Sequence, residues 1–175
     1  MNKIKPGIKD NVAETLFIPL LSRAYESRRK DAILKDPMAC ELVGKIDYDF
    51  AKFGKISMST AGTAIRLRRY DRLVSWFIDR TDAEDPVIVL IGCGLDTRYQ
   101  RVPNREKATF YELDLPEVIE LREKLFPISK NDINIKGSML ETDWMEMLKQ
   151  KHPHSRFLFL AEGVMMYFTE EQVRS

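Results

Sequence analysis

Cysteine and histidine are scarce in this chain, two of each, and that scarcity removes whole classes of protein. Cys40 and Cys93 lie far apart, and Cys93 sits inside a glycine turn, so no disulfide framework is expected and the cytoplasm is the expected compartment. His152 and His154 flank Pro153, a spacing that reads as an exposed turn and not as a zinc site; no metal is expected. Long apolar runs are missing too: none approaches the roughly 20 residues that cross a bilayer. The stretch Met1-Asn2-Lys3-Ile4-Lys5-Pro6 lacks the apolar core of a signal peptide. An excess of either charge is also absent. Lysine and arginine number 28 against 27 acidic residues, which gives no electrostatic reason to expect nucleic acid or an anionic membrane as partner.

What remains is the composition of a globular protein, 44% hydrophobic and 31% charged in 175 residues, enough for one domain with a real core. There is no internal repeat and no low-complexity segment.

The periodicity changes near Asp82-Ala83-Glu84-Asp85-Pro86. Before it the signals are helical. Asp10 to Arg29 carries Val12, Leu16, Leu20 and Tyr25 in helical rhythm, with a bend or break expected at Pro19. Asp36-Pro37 reads as an N-cap followed by proline at the first helical position, opening a helix to about Val43. A longer helix is expected from Ser59 to Thr81, with Tyr70, Leu73, Val74 and Phe77 on one face. After Pro86, short apolar runs alternate with helical stretches. The expected strands are Val87–Ile91, Ala108–Leu113, Asp132–Lys136 and Arg156–Ala161; the helices between them include Pro116–Leu125 and Trp144–Lys151. That alternation predicts an α/β fold with a parallel sheet. The expected division is residues 1–85 as a helical region and 86–175 as the sheet-containing core.

Gly92-Cys93-Gly94 closes the first strand, where a doubly wound sheet collects its ligands. Glycines allow the tight turn and a close approach of ligand to backbone. The dinucleotide pattern G-x-G-x-x-G would need a third glycine at position 97, and Thr97 stands there. Glu112-Leu-Asp114 follows about 20 residues on, at the end of the second strand, where a carboxylate accepts hydrogen bonds from ribose hydroxyls. Strand, glycine turn, helix, strand and acid describe a nucleoside site in general, leaving S-adenosylmethionine, NAD and FAD open.

Three runs narrow the choice. Val89-Leu-Ile-Gly-Cys-Gly-Leu-Asp-Thr-Arg98, Tyr111-Glu-Leu-Asp-Leu-Pro-Glu117 and Ala161-Glu-Gly-Val-Met-Met-Tyr-Phe168 resemble the leucine carboxyl methyltransferase family. The segments Glu14–Glu26 and Ile65–Asp71 resemble its bacterial branch, so the likeness runs along nearly the whole chain. The resemblance implies a class I methyltransferase fold, a Rossmann-like parallel sheet represented here by about four strands, under an N-terminal helical lid. It implies S-adenosyl-L-methionine as cofactor and S-adenosyl-L-homocysteine as product. Gly92 would pass close to the methionine portion, with Gly94 in the same turn. Asp114, or Glu112 as second choice, would hold the ribose hydroxyls. Arg66 would pair with the cofactor carboxylate, and Glu162 would lie near the sulfonium. Ser138 and Met139 occupy the place where the family often has an acid contacting adenine, so the polar adenine contact departs from the family pattern.

A complete fold of that family continues past the helix capped by Thr169-Glu-Glu-Gln172, so four of an expected seven strands are present, leaving an open sheet edge through which self-association is expected. Spacing supports Arg66 separately: Arg66, Tyr70, Leu73 and Phe77 share one helical face, and an arginine on an apolar face calls for an anionic partner. The expected activity is O-methylation of a carboxylate or hydroxyl on a small molecule. No histidine lies in a recognised motif to act as a general base, and no catalytic residue is assigned. The alternatives are a cofactor-binding module without catalysis and, more distantly, an NAD-dependent oxidoreductase.

Overall fold

The structure is a computed structural model and describes residues 3–8, 11–53, 57–82 and 85–174. Met1 and Asn2 of the amino terminus, Asp10 of the first expected helix, and Ala83 and Glu84 of the expected junction lie outside those residues. The chain divides into two compact units, one of Met1–Leu73 with Leu95–Pro103, the other of Val74–Gly94 with Asn104–Ser175.

In the first unit, α1 (Asn11–Glu14) and α2 (Phe17–Ser27) are separated at Thr15-Leu16 and not at Pro19. Pro19 is the third residue of α2, inside the first turn, where a backbone N–H has no intrahelical partner to lose. Helix α3 (Pro37–Lys45) begins as its sequence predicts: the Asp36 side chain accepts a hydrogen bond from the Ala39 N–H at 2.9 Å, and Pro37 occupies the first position. Phe17, Leu20, Ala24, Ala39 and Leu42 are fully buried between α2 and α3. Ile4 bridges to Ile46, which closes the segment after α3.

Helix α4 (Ser57–Arg80) continues from the first unit into the second. Among its described residues the buried apolar ones are Ala64, Leu67, Val74 and Ile78, with Thr60 buried near its start. The expected face is therefore rotated: Val74 is buried, but Leu73 is 39% exposed and Arg66 is exposed. Ile65, Leu67, Leu73, Val74, Trp76 and Ile78 surround this helix with apolar side chains, so its period alone does not select one face.

The second unit holds β1 (Val87–Ile91), β2 (Thr109–Asp114), β3 (Asp132–Lys136) and β4 (Phe157–Ala161), all parallel, in the order β3-β2-β1-β4. This is the Rossmann-like arrangement expected of the sequence. Helix α5 (Arg98–Arg101) belongs to the first unit, while α6 (Pro116–Leu125) and α7 (Asp143–Lys151) belong to the second. On one sheet face Val87, Val89, Tyr111 and Leu113 pack with Trp144 and Leu148 of α7. The alternate residues of β2 and β3, Glu112 and Asn134, meet Arg122 of α6. β1 is almost wholly buried, as the central strand of a parallel sheet should be, whereas Phe159 on the outer strand β4 is 51% exposed.

Two smaller features complete the unit. The chain after β4 ends in α8 (Glu170–Arg174), where Thr169 and Gln172 exchange the reciprocal hydrogen bonds of a capping box, at 2.9 and 3.2 Å. His152 is not the exposed turn residue its spacing suggested. Its ring lies 2.8 Å from the Tyr111 hydroxyl and 2.9 Å from an Asp85 carboxylate oxygen. No helix of the described residues is long and apolar enough to cross a membrane.

Candidate cofactor site

The strand register assembles one row of residues at the carboxyl edge of the sheet. Ile91 of β1 stands opposite Leu113 of β2 and Ala161 of β4, and Asp114 stands opposite Lys136 of β3. The next residue along each strand therefore places Asp114, Gly92 and Glu162 side by side, with strand spacings of about 4.8 Å. Parallel pairing turns three distant parts of the sequence into neighbours.

The glycine turn is held from several sides. Gly92 and Gly94 adopt φ of 63° and 52°, in the left-handed region that glycine enters without steric cost. At Gly92 a second demand operates, because a Cβ there would fall 2.6 Å from Cγ2 and 2.9 Å from Cβ of Val164. The Cys93 N–H donates to the Leu113 carbonyl at 3.1 Å. The Gly94 N–H donates to Oδ2 of Asp114 at 2.7 Å, and the Gly94 carbonyl accepts from Nη1 of Arg122 at 3.0 Å.

Asp114 and Glu112 share a strand face two residues apart but have different surroundings. Glu112 is fully buried, with Oε1 3.4 Å from Nη2 of Arg122, itself 1% exposed. Asp114 lies one step nearer the edge and is partly exposed. Its Oδ1 accepts the Leu115 N–H at 2.8 Å, as its Oδ2 accepts that of Gly94. Two of about four acceptor positions on the carboxylate are thus taken, and one on each oxygen remains for a hydroxyl donor. Burial pushes the Asp114 carboxyl above the usual carboxylate range, against the two backbone N–H groups and the Arg122 charge that pull it down.

After β3, the Ser138 N–H donates to a Glu141 carboxylate oxygen, while the Ser138 hydroxyl oxygen accepts from the Leu140 N–H; both distances are 3.2 Å. Met139 packs, partly buried, against the cluster of Tyr111, Leu113 and Trp144. Glu162 is partly exposed immediately beyond β4. The register thus brings Gly92, Gly94, Asp114 and Glu162 to one edge, and the β3 turn with Ser138 and Met139 follows Lys136 at that same edge. Arg66 lies on α4 in the other unit.

The profile of the leucine carboxyl methyltransferase family matches residues 17–175. The chain belongs to that family. Among its relatives, the "Tetracenomycin polyketide synthesis O-methyltransferase TcmP" of Streptomyces glaucescens is 31% identical over 159 residues, which cover 91% of this chain and 57% of the relative. A "Putative S-adenosyl-L-methionine-dependent methyltransferase" of Mycobacterium sp. (strain KMS) is 30% identical over 183 residues, covering 91% and 59%. This family member therefore spans less than three-fifths of the length of these relatives.

Sequence reasoning missed two groups of buried charges, one in each unit. Arg122 is one; it lies among Val118, Ile119, Leu121 and Leu125 on the buried side of α6, the same anomaly of a cation on an apolar face that drew attention to Arg66. The other is a buried network in the first unit, built on the Leu-Asp-Thr-Arg run that follows the glycines. Arg101 pairs with both oxygens of Asp71 through Nε and Nη2, at 2.8 and 2.9 Å, and approaches Asp96 and Asp36. Arg98 bridges Asp71 and Asp96 at 3.0 and 2.7 Å. Arg23 reaches Asp36 and the Leu95 carbonyl. Three arginines thus face three aspartates, and Thr97, in place of a third glycine, donates its hydroxyl to Asp36. Burial opposes the charge on Arg101, yet Asp96, Asp71 and Asp36 hold its guanidinium above the ordinary value.

Proposed function

We propose that the chain binds S-adenosylmethionine at the carboxyl edge of β1, β2 and β4, and that the protein methylates an oxygen, carboxylate or hydroxyl, of a small-molecule acceptor. The observation that carries this reading is the Asp114 carboxylate, fixed by the Gly94 and Leu115 N–H groups with one acceptor position left on each oxygen. That arrangement suits a pair of vicinal ribose hydroxyls. Glu112, sealed against Arg122, is assigned no ligand contact in this reading. Gly92 and Gly94 present backbone without a Cβ at the ligand edge, with Val164 packed against Gly92; Met139 offers an apolar wall for an adenine ring, and Ser138 stands beside it. Glu162 supplies negative charge next to β4, suited to a sulfonium. Arg66 is assigned to the cofactor carboxylate on the family resemblance, and residues 1–85 to acceptor recognition.

When bound, the cofactor supplies a methyl group on a good sulfonium leaving group. The chain's own contribution is then orientation and electrostatics, with no bond to make or break on a side chain. A carboxylate acceptor needs no general base; a phenol, with a pKa of about 10, benefits from one. His152 is engaged by Tyr111 and Asp85, and His154 follows it in a turn, so neither is assigned as that base. The relative named as a polyketide O-methyltransferase supports oxygen as the accepting atom.

The test has two stages. Calorimetric titration with S-adenosylmethionine, S-adenosylhomocysteine and NAD comes first, and NAD binding alone would replace this reading by that of an oxidoreductase. A screen of carboxylic acids and phenols follows, scored by mass gain and by alkaline lability, since a methyl ester hydrolyses where a methyl ether survives. Binding without transfer to any acceptor would leave a cofactor-binding module.

A further inference from the structure

The Glu112–Arg122 pair is a puzzle in energetic terms. Two charges are fully buried on the sheet face that α6 covers, and a buried pair of this kind is often no more stabilising than apolar side chains of similar volume. Stability alone does not account for its presence beside a ligand edge.

The contacts of Arg122 suggest another task. Its Nη2 faces Glu112 of β2 at 3.4 Å, its Nε donates to Asn134 of β3 at 3.3 Å, and its guanidinium lies over the Phe126 ring at 4.3 Å. With three sides fixed, Nη1 donates to the Gly94 carbonyl at 3.0 Å. The planar fork of arginine serves acceptors on three different elements at once, which a lysine ammonium on a flexible stem does not reproduce. Gly94 is therefore gripped at both polar groups, N–H by Asp114 and C=O by Arg122. A glycine at φ 52° has a wide range of backbone states open to it, so the grip removes freedom that ligand binding would otherwise have to remove.

We propose that Arg122, held in place by Glu112 and Asn134, is a positioning residue that presets the Gly92–Gly94 turn and Asp114 for the ribose of the cofactor. The proposal rests on the cofactor reading given above. Arg122 also bears on the charge of Asp114: together with the Gly94 and Leu115 N–H groups it offsets the burial that favours the protonated acid. Other charged groups near Asp114 are Glu117 on α6, Glu112 on its own strand, Glu162 beyond β4 on the far side of Gly92, and Lys136 on β3, which is paired with Glu123 at 3.1 Å.

The decisive variant is the double replacement Arg122→Met with Glu112→Leu, which removes both charges and keeps the volume. It should fold, and S-adenosylhomocysteine affinity should still fall by about 10-fold or more, as the loss of a charge-assisted hydrogen bond implies. The Gly94 N–H should exchange with solvent faster than in the wild type, and the pH below which binding weakens should rise. Arg122→Lys should recover part of the affinity. A merely structural pair predicts the opposite: a folded double variant with wild-type affinity, pH profile and Gly94 exchange, and that result would overturn the proposal. The exchange measurement needs no ligand. If the wild type itself fails to bind S-adenosylhomocysteine, the cofactor reading falls while exchange still decides whether Arg122 grips the turn.

Discussion

Adding one methyl group at Gly92 tests the geometry of the turn with little change in chemistry. In Gly92→Ala the new Cβ must adopt φ near 63°, which costs an L-residue about 1–2 kcal/mol relative to glycine. The same atom would start 2.6 Å from Cγ2 of Val164, and relieving such overpacking costs about 1–3 kcal/mol more. The expected loss of stability is therefore about 2–5 kcal/mol, read in urea as a lower midpoint at unchanged slope. Val164→Ala removes Cγ2 and Cγ1 but leaves Val164 Cβ 2.9 Å from the new methyl, so relief should be partial. The double variant should thus recover about 1 kcal/mol relative to the sum of the single changes. S-adenosylhomocysteine affinity should fall in Gly92→Ala and improve in part in the pair. A loss below about 0.5 kcal/mol, or strict additivity of the two substitutions, would refute the claim that Val164 and left-handed backbone together require glycine here.

Other outcomes follow from the remaining contacts. Asp114→Ala should weaken S-adenosylhomocysteine binding by at least about 10-fold in calorimetry, and unchanged affinity would remove Asp114 from the ribose role. The raised pKa of Asp114 sets two pH effects of opposite sign. Between the ordinary carboxylate value and the raised one, the folded chain keeps a proton that the unfolded chain has released, so this group's contribution to stability falls as pH climbs through that window. Ligand affinity should rise over the same climb as the carboxylate ionises. Urea midpoints and calorimetry across that range check both signs, and both effects should vanish in Asp114→Asn. In the first unit, Asp71→Ala should cost about 3–5 kcal/mol in urea unfolding, because Arg98 and Arg101 lose their shared partner while buried. A cost near zero would show that Asp96 and Asp36 suffice.

Much of the fold was legible because its signals are local. Val87–Ile91 is continuous, β-branched and stopped by glycine, and Asp132–Lys136 and Pro116–Leu125 carry their bounds in their own residues. Asp36-Pro37 and Thr169-Glu-Glu-Gln172 name their caps within four residues. The shared edge was legible for a related reason: in a parallel sheet the residues just beyond the strands line one edge, so Gly92, Asp114 and Glu162 fall together there, while the roles proposed for them rest on the family resemblance.

The errors arose where more than one partner was available. On α4 the apolar residues nearly encircle the helix, so the sequence offered a face through Arg66 and Leu73 while burial falls on Ala64, Leu67, Val74 and Ile78. The choice belongs to whatever packs against the helix. His152 was read from its neighbour Pro153, yet Tyr111 and Asp85, both distant in sequence, decide its role.

By itself, then, the sequence determined the order of strands and helices, the glycine turn and the acid that follows it, since periodicity, capping and strand ends depend on nearby residues. Only tertiary structure decided that Arg122 holds the Gly94 carbonyl, that Val164 closes over Gly92, and that Arg23, Arg98 and Arg101 share Asp36, Asp71 and Asp96. A charge or a methyl group has no preferred partner along the chain. Its partner is set by which elements come within a few ångströms, and the cost of burying an unpaired charge then makes that choice binding.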